Sequence, residues 1–377
     1  MSQQQPAVSS PDKFYKNVCK GMKKYFIGID FSKEKFDVVL ISRETEGSSP
    51  VEKCHGVYGN DKKGFRSFER WVSSLCTEAC PTELLFCGED TGRYSEALSD
   101  YLYGLGYDMW LESPLRMKRS MGIRRAKDDR ADARAIAAYA MRFADKATPY
   151  IPISPALHEL RELFGYRMFL VRQKKAVAVR ATEVRETDSR RNRGTSFACR
   201  SAKRMEKLMN REIKECNERI RALIDSAPEL AETYRIVTSI KGIGQQNATA
   251  LILCTRNFTR FDNPRQFACY CGIAPFARQS GTSLHSPAHN SPLADRQMKA
   301  LLSEAAKCAV IYNPAMKSYY QGLIERGKHP GVALNNVKNK LVHTVMAMVK
   351  NRTLFDERYS YQLSMNYNNN HKKMANN

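Results

Sequence analysis

No apolar run in this 377-residue chain approaches the roughly 18 residues that a membrane-crossing helix needs. Residues 1–22 lack the apolar centre of a secretion signal, so a cytoplasmic protein is expected. Eleven cysteines are present, yet the closest pairs, Cys76/Cys80 and Cys269/Cys271, have neither zinc-knuckle nor disulfide-framework spacing. They read as reduced, mostly buried thiols in apolar stretches such as those around Cys87, Cys254 and Cys308. No tandem repeat is visible. Acids are scarce: 39 Asp+Glu stand against 61 Lys+Arg, a net charge of +22. That balance points to a polyanionic partner, nucleic acid first, although a basic ribosomal-type or membrane-surface protein has similar numbers.

Hydrophobic content of 42% with 10% aromatics is that of a folded protein, and the length suits two or three domains. Residues 1–22 read as a flexible tail. Tyr25-Phe-Ile-Gly-Ile-Asp-Phe-Ser32 is an apolar strand ending at an acid, and Phe36 to Ile41 pairs with it as a hairpin. A helix over Gly64–Cys76, a strand over Glu83–Gly88 delivering Glu89, a helix over Tyr94–Leu105, a strand over Tyr107–Leu111 and a helix over Asp129–Ala144 complete a β-β-α-β-α-β-α domain at 23–150. Residues 151–232 carry helical apolar spacing from Leu157 to Glu186 and from Ala202 to Leu223, separated by a turn at Asp188–Gly194. This predicts an antiparallel helical hairpin of coiled-coil type. Within 161–221 there are 18 Lys+Arg and 8 Asp+Glu. A solvated helix surface explains the mixed charges but not the basic excess, which suits nucleic acid. A mainly helical unit follows at 233–352, then an Asn- and Lys-rich tail at 353–377.

Four acids stand where chemistry is expected: Asp30 on the first strand, Glu89 at the end of a later one, and Asp129 and Asp132 in the closing helix. Positions i and i+3 share a helix face, so the last two carboxylates repel unless a cation lies between them. Hard oxygen ligands sharing two cations about 4 Å apart are what metal-dependent phosphodiester chemistry requires. Singly, each acid reads more simply as a turn or helix cap. Together and in this order they predict a metal site, with Asp128 pointing away and Asp90 and Glu112 as weaker candidates. A sugar-kinase or actin-type ATPase opens on a similar strand, but its later Gly-rich phosphate loops are missing.

Three further segments invite attention. Ile236-Val-Thr-Ser-Ile-Lys-Gly-Ile-Gly244 looks like a helix-hairpin-helix, in which Lys241, Gly242 and Gly244 would hold a nucleic-acid backbone through free amides. An ordinary helix turn ending in glycine is the plainer reading. Ser280, in Arg278-Gln-Ser-Gly281, could present a hydroxyl to a phosphodiester, although Ser-Gly pairs are usually turns. His285 and His289 are four apart, but Pro287 between them argues for a loop.

These segments resemble the insertion-sequence-110 family of transposases, which includes the Piv-type DNA invertases. The resemblance rests on Gly28-Ile-Asp-Phe-Ser-Lys33, Cys87-Gly-Glu-Asp-Thr-Gly92, Lys127-Asp-Asp-Arg-Ala-Asp-Ala133, Ile240-Lys-Gly-Ile-Gly244, Phe261–Gly272 with Ala274-Pro275, and Gln279-Ser-Gly281. It implies an RNase H-like, RuvC-type α/β domain with Asp30, Glu89, Asp129 and Asp132 as ligands of Mg²⁺, or of Mn²⁺ as a substitute. It implies a nucleophilic Ser280 in a mainly α transposase domain, which is weak from the residues alone. It further implies a coiled-coil hairpin for homo-oligomers, a dimer and then a tetramer in the synaptic complex. The expected partners are donor and target DNA and a non-coding bridge RNA. The reaction implied is cutting and rejoining through a serine–DNA link; the alternative is a metal-only nuclease of Holliday-junction-resolving type. Where the family continues with Gly-Asn and Leu-Arg, this chain has Ser291 to Lys299, leaving the roles of Asp295, Arg296 and Lys299 open. It also has Asp128-Asp-Arg130 in place of the usual Thr-Asp-Arg.

Overall fold

The structure is a computed structural model that describes residues 23–43, 51–120, 128–190, 196–280, 284–290 and 294–356, with 276–280 and 284–290 described by their backbone. The chain divides into two compact units, the first ending at Pro152 and the second beginning at Ile153.

In the first unit, β1 (Tyr25–Phe31) pairs antiparallel with β2 (Lys35–Ser42), and β2 pairs antiparallel with β3 (Val51–Gly59). On the other side of β1 lie β4 (Leu84–Glu89) and then β5 (Asp108–Glu112), both parallel. The order β3-β2-β1-β4-β5, an antiparallel meander extended by two parallel strands, is that of an RNase H-like sheet. Helices α1 (Lys62–Leu75), α2 (Arg93–Gly104), α3 (Pro114–Ser120) and α4 (Asp129–Arg142) complete the unit. Strand β3 and helix α3 are additions to the β-β-α-β-α-β-α order expected from sequence. Asp61 starts α1 by accepting the Gly64 amide at 2.8 Å, which satisfies one of the helix's orphan donors.

Side chains alternate across a strand, and this alternation sorts the core. Ile27, Ile29, Val38, Leu40 and Phe86 bury against Phe65, Phe68, Leu98 and Leu102 of α1 and α2. The opposite face carries Phe26, Leu85 and Cys87 against Ile136 and Tyr139 of α4, with Val39 and Ile41 against Ala133 and Ala137. Asp30, Asp37 and Glu89 continue the even register of β1 and the odd registers of β2 and β4. They therefore fall on the face that α4 covers.

The second unit opens with two long helices, α5 (Pro155–Arg190) and α6 (Phe197–Ser226). They pack antiparallel: Arg167 Nε donates to Asn217 Oδ1 at 2.7 Å, and the Cys199 thiol faces the Ala181 carbonyl at 3.7 Å. The base of this hairpin (Leu157, Leu160, Phe164, Ile220, Ile224) shares one core with the helices that follow. These are α7 (Pro228–Thr238), α8 (Gln245–Cys254), α9 (Pro264–Tyr270), α10 (Arg296–Tyr312), α11 (Pro314–Glu325) and α12 (Pro330–Asn351). Between α9 and α10 runs a two-stranded antiparallel ribbon, β6 (Pro275–Ser280) and β7 (Leu284–Asn290). His285 and His289 thus lie on a strand, opposite Gln279 and Phe276, and not in the loop expected for them. Pro287 is tolerated because both strands of a two-stranded ribbon are edges. The ten described cysteines are all free thiols; five are buried, while Cys80 and Cys308 are exposed. Among the described residues no helix is long and apolar enough to cross a membrane.

Candidate active site

Two glycines and three alanines allow the acids to approach each other. A Cβ on Gly28 would lie 2.1 Å from the Ala133 carbonyl oxygen and 2.3 Å from the Ala137 amide nitrogen, so α4 rests directly on the β1 backbone. Ala133, Ala137 and Ala140 are fully buried in that contact. A Cβ on Gly88 would meet the Phe31 ring at 2.4 Å. Because Ile29 pairs with Gly88, the next residues of the two strands, Asp30 and Glu89, emerge side by side. The first turn of α4 brings Asp129 and Asp132 above them.

The electrostatics report the convergence. Burial, then Asp132, Asp129, Glu89 and Asp37 in that order, push the Asp30 carboxyl up from 3.8 to about 6. All four acids singled out from sequence are therefore brought into one field. Asp128 caps the start of α4 with its backbone, its carbonyl accepting the Asp132 amide at 2.9 Å. Asp90 accepts its own loop's Gly92 amide at 3.2 Å. Glu112 is buried and accepts from the Ser113 amide, Arg116 and the Tyr139 hydroxyl at 2.7, 3.2 and 3.2 Å. Both weaker candidates are thus engaged in hydrogen bonds with their neighbours.

Sequence reasoning missed Asp37, Lys35 and His55. Asp37 sits opposite Asp30 across the hairpin and is 5% exposed. Lys35 Nζ bridges it to the α4 acid, donating to Asp129 Oδ2 at 2.9 Å and Asp37 Oδ2 at 3.0 Å. These bonds, first that to Asp129, raise the Lys35 ammonium above its ordinary value. His55 Nε2 lies 3.2 Å from Asp37 Oδ1. Strand alternation was the available signal, since it puts Asp37 on the same face as Asp30.

The donors fit a divalent cation in type and in charge, because five carboxylates crowd a half-buried position. They are not yet gathered on one point: among the described residues no three His, Cys, Asp or Glu form a ready ligand set. In this arrangement the Lys35 ammonium lies between Asp129 and Asp37.

In the second unit, α7 and α8 flank a turn containing Lys241, Gly242 and Gly244. Gly242 has φ +111°, and a Cβ there would lie 2.6 Å from the Ala309 backbone of α10, so packing alone requires glycine. Ser280 is the last residue of β6, opposite Leu284. Asp295 caps α10, accepting the Met298 amide at 2.8 Å and the Tyr270 hydroxyl at 3.2 Å. These bonds fix Asp295 at the start of α10.

Two family models match the chain: one described as Transposase, the DEDD type of IS110, over residues 27–184, and one described as Transposase IS116/IS110/IS902 family, over residues 234–321. The chain belongs to the IS110 family of transposases. It is thus a DNA-cleaving and rejoining enzyme. Among relatives, the pilin gene-inverting protein of Moraxella bovis is 24% identical over 353 residues, 89% of this chain and 99% of that protein. Its Moraxella lacunata counterpart matches to the same extent. An IS110 insertion-element 43.6 kDa protein of Streptomyces coelicolor is 27% identical over 146 residues, 39% of this chain and 36% of that protein. A solved structure of Thermus thermophilus RuvC matches over 33% of this chain and 99% of its own at 15% identity, with a TM-score of 0.26.

Proposed function

We propose that this transposase cuts and rejoins DNA through a serine-linked intermediate, using divalent metal held by Asp30, Glu89, Asp129 and Asp132. The observation that carries the metal site is the crowding of acids from β1, β4 and α4 around Asp30, whose proton affinity rises accordingly. Bound there, Mg²⁺ or Mn²⁺ supplies charge neutralisation at a scissile phosphate and lowers the cost of ionising a nucleophile. Ser280 Oγ loses its proton and attacks phosphorus. The new O–P bond forms as the bond to the 3′ oxygen breaks, and that oxygen takes up a proton. A phosphoserine–DNA link and a free 3′ hydroxyl result, and strand exchange reverses the attack with no net hydrolysis. The acids belong to one unit and Ser280 to the other, so the reading requires both at the same phosphate, in a homo-oligomeric synaptic complex of a dimer and then a tetramer. Lys241 and the amides at Gly242 and Gly244 contact DNA backbone, and a bridge RNA selects the sites.

Protein, RNA and DNA incubated with Mg²⁺ test the reading. A covalent protein–DNA adduct that disappears in Ser280→Ala is expected. Cutting undiminished in that variant would leave the metal-only nuclease, of Holliday-junction-resolving type, in its place. Asp30→Ala should abolish cutting and keep binding.

A further inference from the structure

Lysines of α10 and α12 form a cluster that the catalytic reading does not use. Lys299, Ser303 and Lys307 recur every fourth residue, so they line one face of α10. Helix α12 packs against α10 and brings Lys338 to that face. The Lys338 residue is 8% exposed, and its Nζ donates to the Ser303 hydroxyl at 3.2 Å. That hydroxyl in turn donates to the Lys299 carbonyl at 2.8 Å. Among the described residues Lys338 makes no ion pair, while Lys307 is paired with Glu304 at 2.9 Å. Burial, then Lys299 and Lys307, hold the Lys338 ammonium below its ordinary value. A buried ammonium facing other cations costs stability unless an anion joins it.

Location indicates which anion. Asn335, one helical turn before Lys338, donates to the Ile273 carbonyl at 2.8 Å. Ile273 lies two residues before the start of β6, the strand that ends at Ser280. The cluster is therefore tied to the foot of the ribbon carrying the proposed nucleophile.

We propose that Lys338 and Lys299, with the Ser303 hydroxyl positioning the Lys338 ammonium, form a phosphate-binding site for the backbone of duplex DNA beside the Ser280 ribbon. The site rests on the reading of Ser280 as the residue that attacks DNA. Two cationic donors suit a phosphate oxygen pair, and such a contact positions the duplex without reading its sequence. Displacement of a condensed counterion would make the contact salt-dependent.

The test is equilibrium binding of the full-length protein to a DNA duplex across a salt series without divalent metal, so that no cutting occurs. Lys338→Met should lower affinity about three- to tenfold and reduce the slope of log K against log salt by about one. Lys338→Arg should retain most of the binding. The Met variant should also unfold at equal or higher urea concentration than the parent, because a desolvated charge has gone. Lys299→Gln, at a half-buried position on the same face, reads the site independently should Lys338→Met fail to fold. Unchanged affinity and slope in folded Lys338→Met, or in Lys299→Gln, would overturn the site. Loss confined to a single-stranded RNA probe would overturn its assignment to DNA. A covalent adduct from the parent protein with binding intact in both variants discards this site and keeps the serine mechanism. Lost binding in the variants, with no adduct from the parent, does the reverse.

Discussion

Burial, and then the neighbouring charges of Asp132, Asp129, Glu89 and Asp37, make Asp30 costly to ionise, which is why its pKa rises to about 6. Because the folded value exceeds the ordinary 3.8, the folded state binds the extra proton between the two values. Stability from this group is thus full below pH 3.8 and declines as pH rises toward 6. Urea denaturation without divalent ions should show that decline, Asp30→Asn should flatten it, and added Mg²⁺ should oppose it. Lys35 supplies the counter-test, since its ammonium contacts Asp129 and Asp37 directly. Lys35→Met removes a cation competing with the metal, so titration calorimetry should show Mn²⁺ binding several-fold tighter. Weaker Mn²⁺ binding would instead make Lys35 a residue that orders the ligands. Gly28 has no such freedom. Gly28→Ala places a methyl 2.1 Å from the Ala133 oxygen, so α4 must lift. A loss of about 1–3 kcal/mol in urea unfolding is expected, together with weakened Mn²⁺ binding.

At the scale of elements, Asn217 joins three helices, accepting from Arg167 of α5 at 2.7 Å and from Gln246 of α8 at 2.9 Å. Burial already holds the Arg167 guanidinium below its ordinary value, so it is poorly placed to lose a partner. Asn217→Ala should lower unfolding free energy by about 1–3 kcal/mol, more than Asn210→Ala on the same helix, where the side chain faces solvent. This linkage also shows what sequence could and could not reveal. The long helices were readable because apolar residues recur along them at helical spacing, and β1, β2 and β4 because they are continuous apolar runs. Strand β3 (Val51–Gly59) was hidden: it is a half-exposed edge strand interrupted by Lys53, His55 and Gly56, with no clean alternation. The ribbon was hidden because Pro275 and Pro287 signal loop wherever strands have two neighbours. The four acids were legible because each ends a strand or begins a helix. Asp37 was not, since a lone acid inside an apolar strand becomes informative only once the hairpin register sets it opposite Asp30.

For the whole molecule, the net charge of +22 is a statement about association with a polyanion, and the helical hairpin carries a large part of it. On α5, Arg172, Lys175 and Arg180 are exposed and are spread over roughly 140° of the helix circumference, with Arg172 between the other two. Arg180 also reaches Glu183 at 3.1 Å, but an exposed pair of this kind adds little to stability and leaves the charge available. Replacing all three by Gln should therefore leave the urea unfolding curve within experimental scatter. If the hairpin lies along a nucleic-acid backbone, each lost phosphate contact removes about 0.9 from the slope of log K against log salt for duplex DNA, or about 0.7 for a single strand. A fall of two to three in that slope is expected. The size per residue would tell whether the hairpin tracks duplex or single-stranded backbone. No change in slope would assign these side chains to a solvated helix surface and return the polyanion contact to the globular parts of the chain.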